Sequence, residues 1–176
     1  MKTDWIYQIG DPCIRAHSKR IVSPVCQTML RLIKQMIRIM QRENLVGIAA
    51  PQVGVNRRVF ITQPRQTKFR SKQSEEKMVV YINPRIVSLS KAKQVAYEGC
   101  GSVAHAVIFG KVPRSKKVTI EALDQFGHPF TKYASGFLAR IIQHEYDHLE
   151  GVVFLDRIHD TRSLLEREVY LRKQNK

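Results

Sequence analysis

The sequence has little cysteine, glycine or proline, and it has no long apolar run. Its three cysteines, Cys13, Cys26 and Cys100, form no closely spaced pair. They make no disulfide framework, so we expect a reducing, cytoplasmic compartment. With 9 glycines and 7 prolines in 176 residues, the chain is neither collagen-like nor a disordered linker. No apolar run approaches the roughly 18 residues of a membrane-spanning helix, and the first residues do not resemble a secretory signal, so we expect no membrane association.

Acidic residues are also scarce. Asp and Glu number 15 against 30 Lys and Arg, which gives a formal net charge of +15. The basic residues are densest at 57–77, 111–117 and 162–176. This excess predicts a weak attraction to a polyanion such as ribosomal RNA, without DNA-specific binding. A solvated basic surface is the alternative interpretation for any single Lys or Arg.

The length predicts one domain over residues 1–176. Apolar residues at three- and four-residue steps predict an amphipathic helix over about 24–43, with Ser23 and Pro24 at its start. Runs rich in β-branched and aromatic residues predict strands, at 58–62, 78–82, 117–123 and 129–133. Residues 63–77 are polar and basic without an apolar period, so we expect a mobile basic loop there.

A second helix is predicted from Ser135 to a stop at Gly151, and a weaker third helix from about Asp160. Strands followed by a packed helix favour an α+β fold. We therefore expect mixed or antiparallel sheets around a central metal-binding helix. The amphipathic helix would stand on the N-terminal side of these sheets, and the third helix would end the chain.

The central helix carries the strongest motif of the chain. His144 and His148 are four residues apart, so both imidazoles lie on one helix face and can bind one divalent metal. Glu145 lies at the edge of that face, where a carboxylate can accept the proton of a water whose pKa the metal lowers. The pattern His-Glu-x-x-His on a helix is a recognised hydrolase motif. Two core histidines bonded to the backbone are the alternative, which the intervening Glu145 disfavours.

The His-Glu-x-x-His motif does not identify the third metal ligand. A catalytic site needs three protein ligands and one open position. Glu166 and Glu168 lie downstream of the motif, where thermolysin-like peptidases have their third ligand. Cys100 is the other candidate, because the glycines on either side of it let the backbone approach a metal or a substrate closely. A small buried hydrophobe is the ordinary interpretation of a lone cysteine.

A third segment follows the first helix at residues 46–54, with the sequence Val-Gly-Ile-Ala-Ala-Pro-Gln-Val-Gly. Its small side chains leave room for a peptide chain beside them. Gln52 can donate a hydrogen bond to a developing oxyanion. On its own, the segment is typical of an ordinary turn.

Together the three segments resemble the peptide deformylase family. A Gly-rich segment ending in Ala-Ala-x-Gln, then Glu-Gly-Cys-x-Ser, then His-Glu-x-x-His occur in that order, at 45–52, 98–102 and 144–148. Further stretches extend the resemblance over nearly the whole chain: 8–12, 81–84 and 112–114. The resemblance implies that the protein hydrolyses the N-formyl group from the formylmethionine of nascent polypeptides and releases formate.

The resemblance also implies a metal and its ligands. Cys100, His144 and His148 would bind one divalent ion. The ion would be Fe²⁺ in the active form, with Zn²⁺, Ni²⁺ or Co²⁺ as alternatives, whereas the ligand types alone favour zinc.

The other site residues follow from the same resemblance. Glu145 would act as the general base and then as the general acid. Gln52 and the backbone N–H of Gly101 would hold the oxyanion. The substrate would lie beside five further residues: Gly47, Glu98, Gly99, Phe137 and Ile141.

The chain departs from the family pattern at several positions. Leu45 replaces the first glycine of the Gly-rich segment, and Gly101 stands where a larger residue is common. Arg140 occupies a position that is apolar in many relatives, so we expect it to border the pocket. Residues 104–111 make a slightly long connection. These departures predict a divergent member with a changed pocket or loop.

Two other functions remain as alternatives. The first is a thermolysin-like zinc peptidase with Glu166 as the third ligand. The second is a basic nucleic-acid-binding module with a structural metal. Neither explains Glu-Gly-Cys-Gly-Ser at 98–102 or Ala-Ala-Pro-Gln at 49–52.

Overall fold

The computed structural model describes residues 5–67 and 75–174. Within these ranges the chain forms four helices, at Pro12–Arg15 (α1), Gln27–Arg42 (α2), Gly136–Leu149 (α3) and Arg167–Gln174 (α4). The same ranges contain eight strands, at Gly47–Ala49 (β1), Val59–Thr62 (β2), Val79–Leu89 (β3), Lys93–Gly99 (β4), Ile108–Ser115 (β5), Lys117–Leu123 (β6), Pro129–Ser135 (β7) and Leu165–Glu166 (β8). None of these helices has the length and apolar character that crossing a membrane requires.

The described strands form two sheets. The larger has the order β1-β2-β3-β6-β7, and the smaller has the order β4-β5-β8. Each pair of neighbouring strands is antiparallel. Helix α3 contacts four strands of the larger sheet and β5 of the smaller one. The predicted α+β fold, with antiparallel sheets around a central helix, is confirmed.

Helix α3 is mostly buried, as its apolar residues predict. It begins after Ser135 and ends at Leu149. Gly151 then adopts a left-handed conformation (φ +72°), and a Cβ atom at this position would collide with the carbonyl oxygen of Arg15. Only glycine fits this turn, so the predicted stop is confirmed.

Helix α2 packs an apolar face against the larger sheet, as the periodicity predicts. The buried face consists of Met29, Leu32, Ile33, Met36, Ile39 and Met40. The predicted start was three residues too early. Cys26 is still extended (φ −142°) and precedes the first helical residue, so Ser23 and Pro24 do not cap the helix.

Strand β3 runs on where the sequence predicted an end at Asn83 and Pro84. The pairing with β6 shifts register between Ile82 and Arg85. Asn83 has a positive φ (+50°), and its side chain bonds both the N–H and the carbonyl of Ile21. This bulge accommodates a proline that cannot donate to the ladder, and the strand resumes beyond it.

The hairpin β4–β5 was not predicted. Much of β4 is polar and exposed, so its sequence lacks the alternation of a half-buried strand. The predicted C-terminal helix exists, but it begins at Arg167 rather than near Asp160. Residues 161–163 form a 3₁₀ turn, and β8 pairs with β5 before the helix starts.

The predicted basic loop at 63–77 lies partly outside the described residues, which omit 68–74. Its flanks at 63–66 and 75–78 have no regular secondary structure. The mobility of this loop stays a prediction.

Candidate metal centre and active site

Cys100, His144 and His148 come together where β4 ends beside α3. Their ligand atoms all lie within 4.8 Å of one another. Sγ of Cys100 is 3.2 Å from Nε2 of His148. Two ligands that bind one ion tetrahedrally at about 2.3 and 2.0 Å lie about 3.5 Å apart, so this distance fits a shared ion. One thiolate with two imidazoles is a donor set suited to a divalent transition metal.

Two elements supply these ligands. The four-residue spacing in α3 places the rings of His144 and His148 on one face, with their centroids 5.1 Å apart. Cys100 comes from the smaller sheet, because β4 and β5 are paired as far as Gly99 and Phe109. The site therefore depends on how the hairpin packs against the helix.

Glu98 orients the first histidine. Its Oε2 is 3.0 Å from Nδ1 of His144, which leaves Nε2 of that ring for a metal. Arg114 donates two hydrogen bonds to the same carboxylate, and Arg140 donates a third at 2.7 Å. Burial raises the pKa of Glu98, but the hydrogen bonds from His144 and Arg114 prevail and hold it well below its usual range.

A second carboxylate extends this network. Asp147 lies on α3 and accepts hydrogen bonds from Arg114 and from Arg157. Arg114 is buried between Glu98 and Asp147 and is paired with both. The hairpin and α3 are thus held together by buried, compensated charges beside the metal ligands.

Glu145 is buried beside the metal ligands without an assigned partner. Its Oε2 has no hydrogen-bond partner among the described residues. Burial raises the pKa of this carboxyl group to about 7. A Cβ atom at Gly47 would lie 2.5 Å from Oε1 of Glu145, so a side chain at position 47 would displace this carboxylate. The carboxylate is placed for proton transfer to or from a molecule in the site.

Gln52 also reaches the cysteine. It lies in a 3₁₀ turn, Ala50–Val53, and its Oε1 accepts a hydrogen bond of 2.8 Å from the N–H of Ala49. This bond points Nε2 toward Sγ of Cys100, at 3.7 Å, and toward Oγ of Ser102, at 3.3 Å. The amide therefore presents its N–H groups at the edge of the group formed by Cys100, His144 and His148.

One cavity gathers nearly all the predicted residues. His148 is buried and does not line the cavity. All other predicted site residues do: Gly47, Gln52, Glu98, Gly99, Cys100, Gly101, Phe137, Ile141, His144 and Glu145. Arg140 and Leu45, the two departures expected to alter the pocket, also line it.

The sequence interpretation missed four contributors. Val46 and Tyr97 line the cavity, and Arg114 and Asp147 hold its frame. Tyr97 could have been found, since it lies two residues from Gly99 and shares its face of a strand. The link from Arg114 to Asp147 spans 33 residues of sequence and has no local signal.

Glu166 lies elsewhere. Its carboxylate accepts hydrogen bonds from the N–H groups of Glu168 and Val169 at the start of α4. Neither Glu166 nor Glu168 belongs to the metal-binding group found among the described residues. The geometry does not favour the peptidase alternative.

Comparison with known proteins gives a consistent result. A model of the polypeptide deformylase family matches residues 3–163. A peptide deformylase of Pseudothermotoga lettingae is 38% identical over 160 residues, which cover 91% of this chain and 85% of the relative. A peptide deformylase of Treponema pallidum is 39% identical, with 88% and 87% coverage.

Solved structures resemble the chain equally well. A class I type b peptide deformylase from Acinetobacter baumannii with bound Met-Ala-Ser has a TM-score of 0.84 and 32% identity, covering 90% of this chain and all of the other. A peptide deformylase from Synechococcus elongatus in complex with actinonin has a TM-score of 0.79 and 30% identity, with 97% and 85% coverage.

Proposed function

The chain belongs to the peptide deformylase family, and from that premise we propose how its residues remove the N-formyl group from nascent peptides. The reaction is the hydrolysis of an amide. One domain, residues 1–176, carries the whole site. The proposal is supported most directly by the meeting of Cys100, His144 and His148 beside Glu145, whose buried Oε2 has no hydrogen-bond partner among the described residues.

Cys100, His144 and His148 hold one divalent ion in this proposal. The donor set and the 3.2 Å contact between Cys100 and His148 support this assignment. When bound, the ion lowers the pKa of the hydrolytic water and acts as a Lewis acid. Membership of the family supports Fe²⁺ as the physiological ion, with Zn²⁺, Ni²⁺ or Co²⁺ able to replace it.

Glu145 moves the protons. Its carboxylate accepts a proton from the water that attacks the formyl carbon, and then returns a proton to the departing amine. A pKa raised to about 7 by burial suits a group that must both accept and donate. Formate and a peptide with a free amino terminus leave the site.

Gln52 and Gly101 stabilise the charge that builds on the formyl oxygen. The amide of Gln52 is aimed at Cys100 by its bond to Ala49, and the backbone N–H of Gly101 follows the cysteine directly. Donors fixed before the reaction need no reorganisation during it.

The peptide lies along the cavity wall in this proposal. Gly47 and the segment Glu98–Gly99 pair with its backbone, and Phe137 and Ile141 enclose the methionine side chain. All of these residues line the one cavity. The bound Met-Ala-Ser of the Acinetobacter baumannii relative supports a formyl-methionyl peptide as the substrate.

The basic surface suits a substrate presented at the ribosome. The net charge is +15, and the exposed end of α4 adds Arg172 and Lys173. A weak electrostatic contact with ribosomal RNA would keep the enzyme near emerging peptides.

Formate release tests the proposed function. Protein prepared without oxygen and loaded with Fe²⁺ is expected to release one formate per formyl-Met-Ala-Ser and to leave the internal peptide bonds intact. Acetyl-Met-Ala-Ser is the matched control substrate. Cleavage between Met and Ala, or no reaction of the metal-loaded protein, would contradict the proposal.

A further inference from the structure

The proposed role of Gly101 requires a fixed backbone orientation. Its N–H is the proposed backbone donor to the oxyanion, so its orientation must be held within a few tenths of an ångström. Glycine has more backbone freedom than any other residue, which works against that requirement. The carbonyl oxygen of Gly101 accepts a hydrogen bond of 2.9 Å from Nε2 of Gln8, which fixes one side of the residue.

The other side of Gly101 is covered by two side chains. A Cβ atom built on this residue would lie 3.1 Å from Cδ1 of Ile6 and 3.3 Å from Cδ1 of Leu45. The second methyl carbon of Leu45 would be 3.6 Å away. The volume into which a side chain at position 101 would point is therefore already occupied by Ile6 and Leu45 together.

Leu45 is itself held firmly. Its N–H donates to the carbonyl of Met40 at 2.9 Å, and its carbonyl accepts from Arg65 at 3.1 Å. Its side chain packs against the core formed by α2 and the larger sheet, and it lines the cavity. An anchored leucine from the connection between α2 and β1 thus occupies the space beside the glycine that follows Cys100.

Both positions are among the departures from the family pattern. The chain has leucine at position 45 and glycine at position 101. We propose that Leu45 is a positioning residue for the oxyanion donor, and that it supplies from across the site the side chain that Gly101 lacks. This inference rests on the proposed function.

The proposal predicts a coupling between the two positions. Leu45→Ala removes the restraint on Gly101, so kcat for formyl-Met-Ala-Ser falls at least fivefold while KM stays within about threefold. Gly101→Leu places a second side chain in the occupied volume and lowers kcat further. The double variant Leu45→Ala/Gly101→Leu recovers at least half of the loss in kcat, because one leucine again fills one space.

Leu89→Ala is the matched control. Leu89 lies at the exposed end of β3, and the same substitution there gives no recovery in the Gly101→Leu background. Additive effects of Leu45→Ala and Gly101→Leu on kcat overturn the proposal, and so does an equal recovery with Leu89→Ala. Gly101→Ala replaces Gly101→Leu with the same expected sign when the leucine variant does not fold.

Thermal unfolding separates this inference from the proposed function. If wild-type protein releases no formate, the proposed function fails. The thermal unfolding midpoints of the same variants then still test whether Leu45 and a side chain at position 101 compete for one space. An unfolding midpoint that Gly101→Leu lowers and that the addition of Leu45→Ala restores supports the steric coupling of positions 45 and 101. Additive shifts of the unfolding midpoint in the double variant overturn this coupling.

Discussion

Glu98 connects three other side chains of the site through its carboxylate. It bonds His144 on the metal side, and it neutralises Arg114 and Arg140 on the other. Its carboxylate is almost fully buried, so the charges around it are poorly screened by solvent.

Glu98→Gln tests this arrangement. The substitution leaves two buried guanidinium groups undercompensated, which costs about 3–5 kcal/mol of unfolding free energy. It also weakens the orientation of His144, so metal affinity falls roughly 10- to 100-fold. Urea unfolding and chelator competition measure the two effects.

Glu121→Gln is the control for that prediction. Glu121 pairs with Arg85 at the surface, where both side chains are largely exposed. The loss there is at most about 1 kcal/mol, and metal affinity is unchanged. Equal losses from both variants would contradict the role given to Glu98.

The sequence was informative about the ligands for a local reason. His144 and His148 are joined by helix periodicity, so four residues of sequence suffice to pair them. The bond from Glu98 to Arg114 depends instead on the β4–β5 hairpin, and the bond from Arg114 to Asp147 depends on the packing of that hairpin against α3. Such contacts have no sequence period to reveal them.

At the scale of elements, the turn after α3 predicts how strongly an alanine at Gly151 destabilises the protein. Gly151→Ala forces a left-handed alanine and places its Cβ against the backbone of Arg15. Gly136→Ala imposes a similar backbone strain (φ +57°) but meets no atom within 4 Å. A left-handed alanine costs about 1–2 kcal/mol, so Gly136→Ala should lose about that much and Gly151→Ala clearly more. Urea unfolding of both variants checks this order, which equal losses would contradict.

Helix α4 contacts β5 through an aromatic stack. Tyr170 stacks on Phe109 of β5, with ring centroids 4.2 Å apart and planes 7° apart. Tyr170→Ala removes this stack, which contributes roughly 0.5–1.5 kcal/mol beyond its buried area. We expect faster proteolysis at the start of α4. Tyr133→Ala, on an exposed ring of β7, should leave the cleavage rate unchanged, and equal acceleration by both would refute the docking.

The elements differ in how well their sequences predict them. Helix α2 has a clear apolar period, and only its first turn was misplaced, because Cys26 remains extended. Strand β4 was missed since its exposed half carries polar residues. The start of α4 was misplaced because two residues before it, Leu165–Glu166, pair with β5, and such pairing is a long-range effect.

At the scale of the whole molecule, the net charge of +15 predicts a salt-dependent contact with ribosomes. The fraction that pellets with ribosomes should fall steeply between about 50 and 500 mM salt. Changing five basic residues to Gln should weaken pelleting at low salt: Lys68, Arg70, Lys72, Arg172 and Lys173.

A charge-matched control locates the contact. The control changes five other basic residues to Gln: Arg31, Lys34, Lys91, Lys93 and Lys132. It should retain most of the pelleting, because only the first set belongs to the densest basic stretches and the C-terminal helix. Equal loss in both variants would show that net charge alone acts, and pelleting unaffected by either salt or substitution would contradict the contact.

In the proposed reaction, Cys100, His144 and His148 bind the metal, whereas Glu145 transfers the protons. The most direct measurement is metal content together with kcat for Glu145→Gln, with Cys100→Ser beside it, all prepared without oxygen. We predict one bound ion per chain in Glu145→Gln with kcat reduced about 10²- to 10⁴-fold, and loss of both metal and activity in Cys100→Ser. A metal-loaded Glu145→Gln protein with nearly wild-type kcat would contradict the role of Glu145, and a Cys100→Ser protein that keeps its metal and its activity would contradict the role of Cys100.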